Sequence, residues 1–81
     1  MQLERIPLLL SPEEQLRSAG HRVTPQRVLL LRLLEEADEH LDAESLYQRA
    51  SAEDASISLA TVYRTLAVLK ELGLVEQRYF A

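Results

Sequence analysis

The segment VLLLRLLEEA at residues 28–37 has no polar face over its first seven residues apart from Arg32. In a helix, with about 100° of rotation per residue, these apolar side chains surround the axis, and other elements must cover them in water. We therefore expect this helix to be the buried centre of a domain. In a chain of 81 residues with 47% apolar but only 5% aromatic content, the core around it must be aliphatic and rich in leucine.

Four helix-start signals divide the chain around this segment. Each is a Ser, Thr or Asp side chain that can accept a hydrogen bond from the first turn of the following helix. They are Ser11, Thr24, Asp42 and Ser58, and the first two are followed by proline. Gly20 and Gly73 are natural terminators of the first and fourth helices. The apolar spacing predicts one core containing Leu30, Leu31, Leu34, Leu46, Val62, Leu66 and Leu69.

Helix, helix, short turn, helix and strand is the order of a winged helix-turn-helix domain. The expected fold class is mainly α, with about four helices and a truncated β-wing that starts in LVEQRYFA at residues 74–81. A single strand leaves its backbone groups unpaired, so we expect a partner strand beyond Ala81 or on another molecule. Residues 1–10 are predicted to be an N-terminal arm and residues 11–81 the winged-helix domain.

Charge is divided along the chain, although the net value is −4. Residues 15–34 hold four arginines and no acid, whereas residues 35–54 hold eight acids and one arginine. At physiological salt only charges within about 8 Å act strongly on a bound phosphate. An acidic chain can therefore still present a basic surface to a nucleic acid.

Composition and motifs argue against several other classes. The chain has no cysteine, so it can form neither a disulfide nor a thiolate zinc site within these residues. Neither His21 nor His40 lies in a glycine-rich loop or a nucleophile motif, and we predict that the chain is not an enzyme. The apolar run in residues 1–10 is too short for a signal peptide or a membrane span, which favours a cytoplasmic protein with no membrane partner.

The fourth helix has an unusual outer face. In SLATVYRTL, residues 58–66, helical spacing places Leu59, Val62 and Leu66 on one side and Arg64 at the middle of the other, among small residues. Such a face can enter a DNA major groove about 12 Å wide, where a guanidinium can pair with guanine or with a phosphate. The alternative is a winged-helix protein-interaction module that uses the acidic residues 35–54. Binding to DNA would weaken steeply with salt, which separates the two hypotheses.

Three strings resemble the amino-terminal DNA-binding domain of the ferric uptake regulator (Fur) family of bacterial repressors, which respond to metals or to peroxide. They are GHRVTPQR at residues 20–27, HLDAESLY at residues 40–47 and ISLATVYRTLAVLKELGLV at residues 57–75. The combination of VTPQR with ATVYR at this distance is fairly specific. The resemblance implies a sequence-specific DNA-binding domain of a transcriptional repressor, with the helix at residues 60–72 entering the major groove.

The same resemblance implies which residues meet DNA. Tyr63 and Arg64 would approach bases, Arg22 would enter an A/T-rich minor groove, and Arg27 would contact the backbone. The full predicted set is Arg22, Thr24, Arg27, Ser58, Ala60, Thr61, Tyr63 and Arg64. Four alternatives remain: a partly buried Tyr63 at the edge of the core, a solvated surface Arg64, a salt-bridged Arg27, and an unengaged Arg22 in its loop.

The resemblance also bears on metals and partners. His40 aligns with a histidine that joins a regulatory metal site in many family members, but one imidazole does not define a site, because zinc usually needs three or four protein ligands. We expect no cofactor within these residues and a divalent metal (Zn, Fe or Mn) in the full-length protein. The implied partners are double-stranded DNA with an A/T-rich two-fold operator and a second copy in a full-length homodimer, whose dimerisation and metal-binding domain would follow Ala81.

Overall fold

The structure is a computed structural model that describes residues 2–5, 11–37 and 41–78. Its elements are β1 (Gln2–Arg5), α1 (Pro12–Ser18), α2 (Pro25–Glu36), α3 (Ala43–Glu53), α4 (Leu59–Glu71) and β2 (Val75–Arg78). This order confirms the mainly α, winged helix-turn-helix class. The longest described helix, α4, has 13 residues, and none in this part of the chain is both long and apolar enough to cross a bilayer.

The expected local signals set the helix boundaries. Each N-cap side chain accepts a hydrogen bond from a backbone N–H three residues later, at 2.7 to 3.2 Å. The caps are Ser11, Thr24, Asp42 and Ser58. Gly20 and Gly73 follow α1 and α4 with φ angles of 81° and 73°, in the left-handed region that glycine adopts without a Cβ clash.

Helix α2 is the centre of the packing, as its composition predicts. It contacts α1, α3, α4 and β1, and four of its leucines are buried. All seven predicted core residues are at most 6% exposed: Leu30, Leu31, Leu34, Leu46, Val62, Leu66 and Leu69. Leu59, which helical spacing places on the apolar side of α4 but which is not in the predicted core, is 37% exposed. Burial begins only at Val62, because the first turn of α4 extends beyond the core.

The partner of the C-terminal strand differs from the expectation. Strand β2 pairs antiparallel with β1 of the same chain, with Gln2 opposite Arg78 and Arg5 opposite Val75. On its other side β1 meets Leu41, whose carbonyl accepts a hydrogen bond from the Leu3 N–H at 2.8 Å. The expectation that β2 pairs only beyond Ala81 or on another molecule was therefore wrong. Burial of Leu3 and pairing of the β2 backbone groups favour the observed arrangement.

Two sequence interpretations fall on residues that the structure leaves undescribed. The prediction of a separate N-terminal arm depends on residues 6–10 as well as on β1, so the division between residues 1–10 and 11–81 remains a prediction. The strand prediction included Tyr79 and Phe80, which also lie outside the described residues.

Candidate nucleic-acid interface

A groove of about 560 Å³ runs between the first turn of α2 and the outer face of α4. Its walls are Thr24, Gln26, Arg27, Thr61, Arg64, Thr65, Ala67 and Val68. It therefore brings together four of the predicted DNA-binding residues, from two distant stretches of the sequence. Two arginines and no acidic side chain line it, so the groove is electrostatically suited to an anion.

Arg64 is exposed at the middle of the outer face of α4. Its Nη2 donates a hydrogen bond to Thr61 Oγ1 at 3.2 Å, and Thr61 Oγ1 lies 3.0 Å from Ser58 Oγ. Ser58 is the N-cap of α4 and accepts from the Thr61 backbone N–H. The guanidinium is thus directed toward the start of α4, and it forms no ion pair with any described residue.

Arg27 lies in the first turn of α2, on the opposite wall of the groove. Its Nη1 donates to the carbonyl oxygen of Arg22 at 3.0 Å, which ties the loop before α2 to the helix. The alternative of a salt bridge is contradicted, because Arg27 pairs with a backbone carbonyl rather than with any acid in the described part of the chain. Its positive charge therefore remains uncompensated next to the exposed Arg22.

Arg32 shows that the charge count along the sequence overestimates the basic surface. Its guanidinium donates to Glu53 Oε1 at 2.7 Å and to Glu36 Oε1 at 3.1 Å. The hydrogen bond with Glu53, followed by that with Glu36, raises the pKa of Arg32 above its ordinary value. One of the four arginines in residues 15–34 is therefore neutralised within the fold, and Arg22, Arg27 and Arg64 account for the positive charge in and beside the groove.

The remaining predicted residues lie on the first two turns of α4. Tyr63 is 48% exposed and does not belong to the core or to the apolar side chains packed against it, so about half of its surface is available to a partner. Ser58 and Ala60 are also exposed. Ser58, Ala60 and Tyr63 are not among the residues that line the groove, and their contact with DNA stays a prediction.

Sequence reasoning missed two polar groove residues, Gln26 and Thr65. Gln26 Nε2 lies 3.4 Å from Asp54 Oδ2 and 3.5 Å from Ser56 Oγ, and so connects the first turn of α2 to the turn between α3 and α4. The Thr24 cap placed Gln26 in a first turn, but its partners are 28 and 30 residues away. Thr65 is only 5% exposed and is the most deeply buried of the polar side chains that line the groove.

The turn that leads into α4 is fixed by a carboxylate. Asp54 Oδ1 accepts hydrogen bonds from the Ser56 hydroxyl at 2.6 Å and from the Ser56 N–H at 3.0 Å. These bonds, the hydroxyl first, hold the pKa of Asp54 below its usual range because they favour the charged form. The turn between α3 and α4 is therefore held by hydrogen bonds to Asp54 and is connected through Gln26 to the first turn of α2.

No group of three or more His, Cys, Asp or Glu side chains able to hold a metal ion occurs in residues 2–5, 11–37 and 41–78. His40, the one predicted ligand, lies outside these ranges. Its participation in a metal site therefore stays a prediction.

Known proteins match this chain over most of its length. A model of the Ferric uptake regulator family matches residues 18–81. The Ferric uptake regulation protein of Brucella abortus biovar 1 (strain 9-941) is 46% identical over 69 residues, which are 85% of this chain and 49% of that protein. The Peroxide-responsive repressor PerR of Staphylococcus aureus (strain USA300) is 44% identical over 62 residues, covering 76% of this chain and 42% of that protein.

Solved structures show the same relationship. A zinc-bound manganese uptake regulator superposes with a TM-score of 0.83 at 38% identity, covering 88% of this chain and 54% of that chain. A second structure, of a manganese uptake regulator, gives a TM-score of 0.82 at 36% identity. The chain thus spans about half the length of the relatives that it matches.

Proposed function

The chain belongs to the Ferric uptake regulator family, and we propose that it is the sequence-specific DNA-binding domain of a bacterial metal-responsive or peroxide-responsive transcriptional repressor. The observation that carries this proposal is the groove itself. It joins two arginines and two helix starts in a surface free of acidic side chains, although the chain as a whole is acidic. The known relatives are regulators rather than enzymes, which agrees with a binding role.

In this proposal α4 enters the major groove of DNA. Ala60 and Thr61 are small, so the start of the helix can approach the bases closely. Arg64 is centred on the same face and can donate two hydrogen bonds to O6 and N7 of a guanine. Tyr63, half exposed, can place its ring against a thymine methyl group and its hydroxyl on a phosphate.

The start of α2 then meets the flanking backbone. The start of α2, which carries the partial positive charge of a helix N-terminus, and the Arg27 guanidinium both favour a phosphate. The exposed Arg22, which lies in the loop just before α2, would reach an adjacent minor groove. A/T-rich DNA would favour this contact, since its narrow minor groove concentrates negative potential.

A longer protein that contains this chain would bind as a homodimer to a two-fold operator in the cytoplasm. Each copy would bind one half-site of the operator. Because dimerisation links the two copies, the affinity would rise by an effective-concentration factor on the order of 10²–10⁴. The 81-residue chain alone should accordingly bind weakly. A regulatory divalent metal (Zn, Fe or Mn) would be held in the longer protein by residues other than those described here, with His40 as one candidate ligand.

The test is a binding titration on a duplex selected from a random pool by the 81-residue chain. Arg64→Ala should lose about 1–3 kcal/mol on the selected duplex and relax the preference at one base pair, with little change on a scrambled duplex. Arg22→Ala should weaken binding to A/T-rich flanks, and Arg22→Lys should restore it only in part, because an ammonium is more strongly hydrated.

Arg17→Ala is the matched control, because it removes the same charge from an exposed position on α1 outside the groove. It should bind nearly as the parent does. If Arg64→Ala also bound every duplex as the parent does, base reading by Arg64 would be excluded, and the acidic residues 35–54 would become the better candidate surface, for a protein partner.

A further inference from the structure

The hydroxyl groups of Ser58 and Thr61 form a short chain that ends on the guanidinium of Arg64. Ser58 Oγ caps α4 by accepting the Thr61 N–H at 3.0 Å, and the two hydroxyl oxygens are also 3.0 Å apart. Thr61 Oγ1 then accepts from Arg64 Nη2 at 3.2 Å. All three residues follow one another at a spacing of three, which puts them on one face of the helix.

Within the described residues, the hydrogen bond to Thr61 is the one polar contact that restrains the Arg64 guanidinium. Arg64 makes no salt bridge there, and its side chain is exposed. An arginine on a helix surface otherwise samples many rotamers, and it loses that freedom when it binds a partner in a single geometry. One N–H of the guanidinium is engaged by Thr61, which leaves the other four for a ligand.

We propose that Thr61 is a positioning residue, which holds Arg64 in its base-reading orientation before DNA arrives. This inference rests on the function proposed above and assigns Thr61 a role through Arg64 rather than a base contact of its own. Ser58 serves the same end, because the hydrogen bond between its hydroxyl and Thr61 Oγ1 favours the rotamer in which the threonine hydroxyl faces the arginine. The helix cap and the reading residue are thereby parts of one hydrogen-bonded unit.

The test is a double-mutant cycle between positions 61 and 64 on the selected duplex. Thr61→Val keeps the shape and the capping N–H but removes the hydroxyl, and it should weaken binding about three- to tenfold, the range for loss of one hydrogen bond. Thr61→Ser keeps the hydroxyl and should bind within about twofold of the parent. In an Arg64→Ala background, Thr61→Val should cause no further loss, because the group that it positions is gone.

The possible results distinguish positioning by Thr61 from DNA reading by Arg64. Equal losses from Thr61→Val in both backgrounds would mean that Thr61 contacts DNA directly, which overturns positioning but keeps DNA reading. A large loss from Arg64→Ala with none from Thr61→Val would likewise overturn positioning alone. No loss from Arg64→Ala would overturn both.

Thermal unfolding of each variant controls for folding. Thr61→Val and the second variant, Thr61→Ala, both retain the backbone N–H at position 61. Ser58 Oγ can still accept a hydrogen bond from it, so helix α4 keeps its cap. A loss of affinity shared by these two variants, without a fall in melting temperature and absent from Thr61→Ser, assigns the effect to the hydroxyl. A loss that tracked melting temperature across the three variants would instead count against positioning.

Discussion

Helices α3 and α4 have the same architecture and opposite electrostatics. They contain 11 and 13 residues, both pack against α2, and both begin with a side chain that accepts the N–H three residues later. However, α3 starts with the acids Asp42 and Glu44, whereas α4 starts with Ser58 and has no acid in its first turn. The partial positive charge at the helix N-terminus is therefore cancelled on α3 and left available on α4.

The other two helices repeat this contrast. Glu13 and Glu14 occupy the first turn of α1, whereas the first turn of α2 has no acid. The two helix starts without acids are those of α2 and α4, which meet at the groove. Apolar spacing thus determines which face of each helix packs, while the cap and first-turn residues determine which helix end can meet an anion.

The largest expected effect tests whether the buried faces of α3 and α4 are equivalent. Leu46 on α3 is fully buried and Leu66 on α4 is 3% exposed, so either change to alanine should lower the free energy of unfolding by about 2–5 kcal/mol. Leu59→Ala is the control on α4 and should cost less, because Leu59 is largely outside the core. Denaturant titration measures all three. A cost below about 0.5 kcal/mol for Leu66→Ala would show that α4 does not pack as described.

The second prediction transfers the α3 type of start to α4. Ser58→Asp keeps a good N-cap but adds a negative charge beside the groove, so DNA binding should weaken by about 1 kcal/mol, and less at high salt. Ser58→Asn is the neutral control of the same shape, and it should bind more tightly than the Asp variant. The reverse change on α3, Asp42→Ser, should leave DNA affinity unchanged. Equal DNA affinities for Ser58→Asp and Ser58→Asn would show that a negative charge at the start of α4 does not affect DNA binding.

The smallest expected effect concerns the loss of folding stability at low pH. Hydrogen bonds from Ser45 lower the pKa of Asp42 at the start of α3, and those from Ser56 lower the pKa of Asp54 at its end. Because both groups have a lower pKa folded than unfolded, their stabilisation is present above about pH 4 and is lost as pH falls through the folded values. Asp42→Asn and Asp54→Asn should each flatten the fall in melting temperature between about pH 5 and pH 2. If melting temperature fell with pH in the variants as steeply as in the parent, the two carboxylates would not be the source of the acid sensitivity.

Local features of the fold could be predicted because their causes are local. The caps Thr24 and Ser58 act on groups three residues away, and the glycines act on their own φ angles. Periodicity identified the core, but a helical repeat does not indicate where its helix leaves the core, as the exposed Leu59 shows. The strand partner of β2 was missed because it comes from residues 2–5, more than 60 positions earlier in the chain.

In the candidate site too, single residues could be predicted from the sequence, whereas contacts between distant residues could not. Resemblance to known repressors pointed to Arg27 and Arg64, but only the fold shows that they share a groove. The neutralisation of Arg32 could not be read from the sequence, because one of its partners, Glu53, is 21 residues away. The Ser58, Thr61 and Arg64 contacts lie within one helix, yet they depend on side-chain rotamers that a sequence does not specify.

A nuclear magnetic resonance titration of the ¹⁵N-labelled chain with the selected duplex tests the central claim most directly, because it reports on both helices at once. If the acid-free starts of α2 and α4 meet DNA, the largest amide shift changes will occur at Thr24, Gln26 and Arg27 and at residues 58–64, with small changes at residues 42–50. Changes centred on residues 42–50, with residues 58–64 unaffected, would contradict the account.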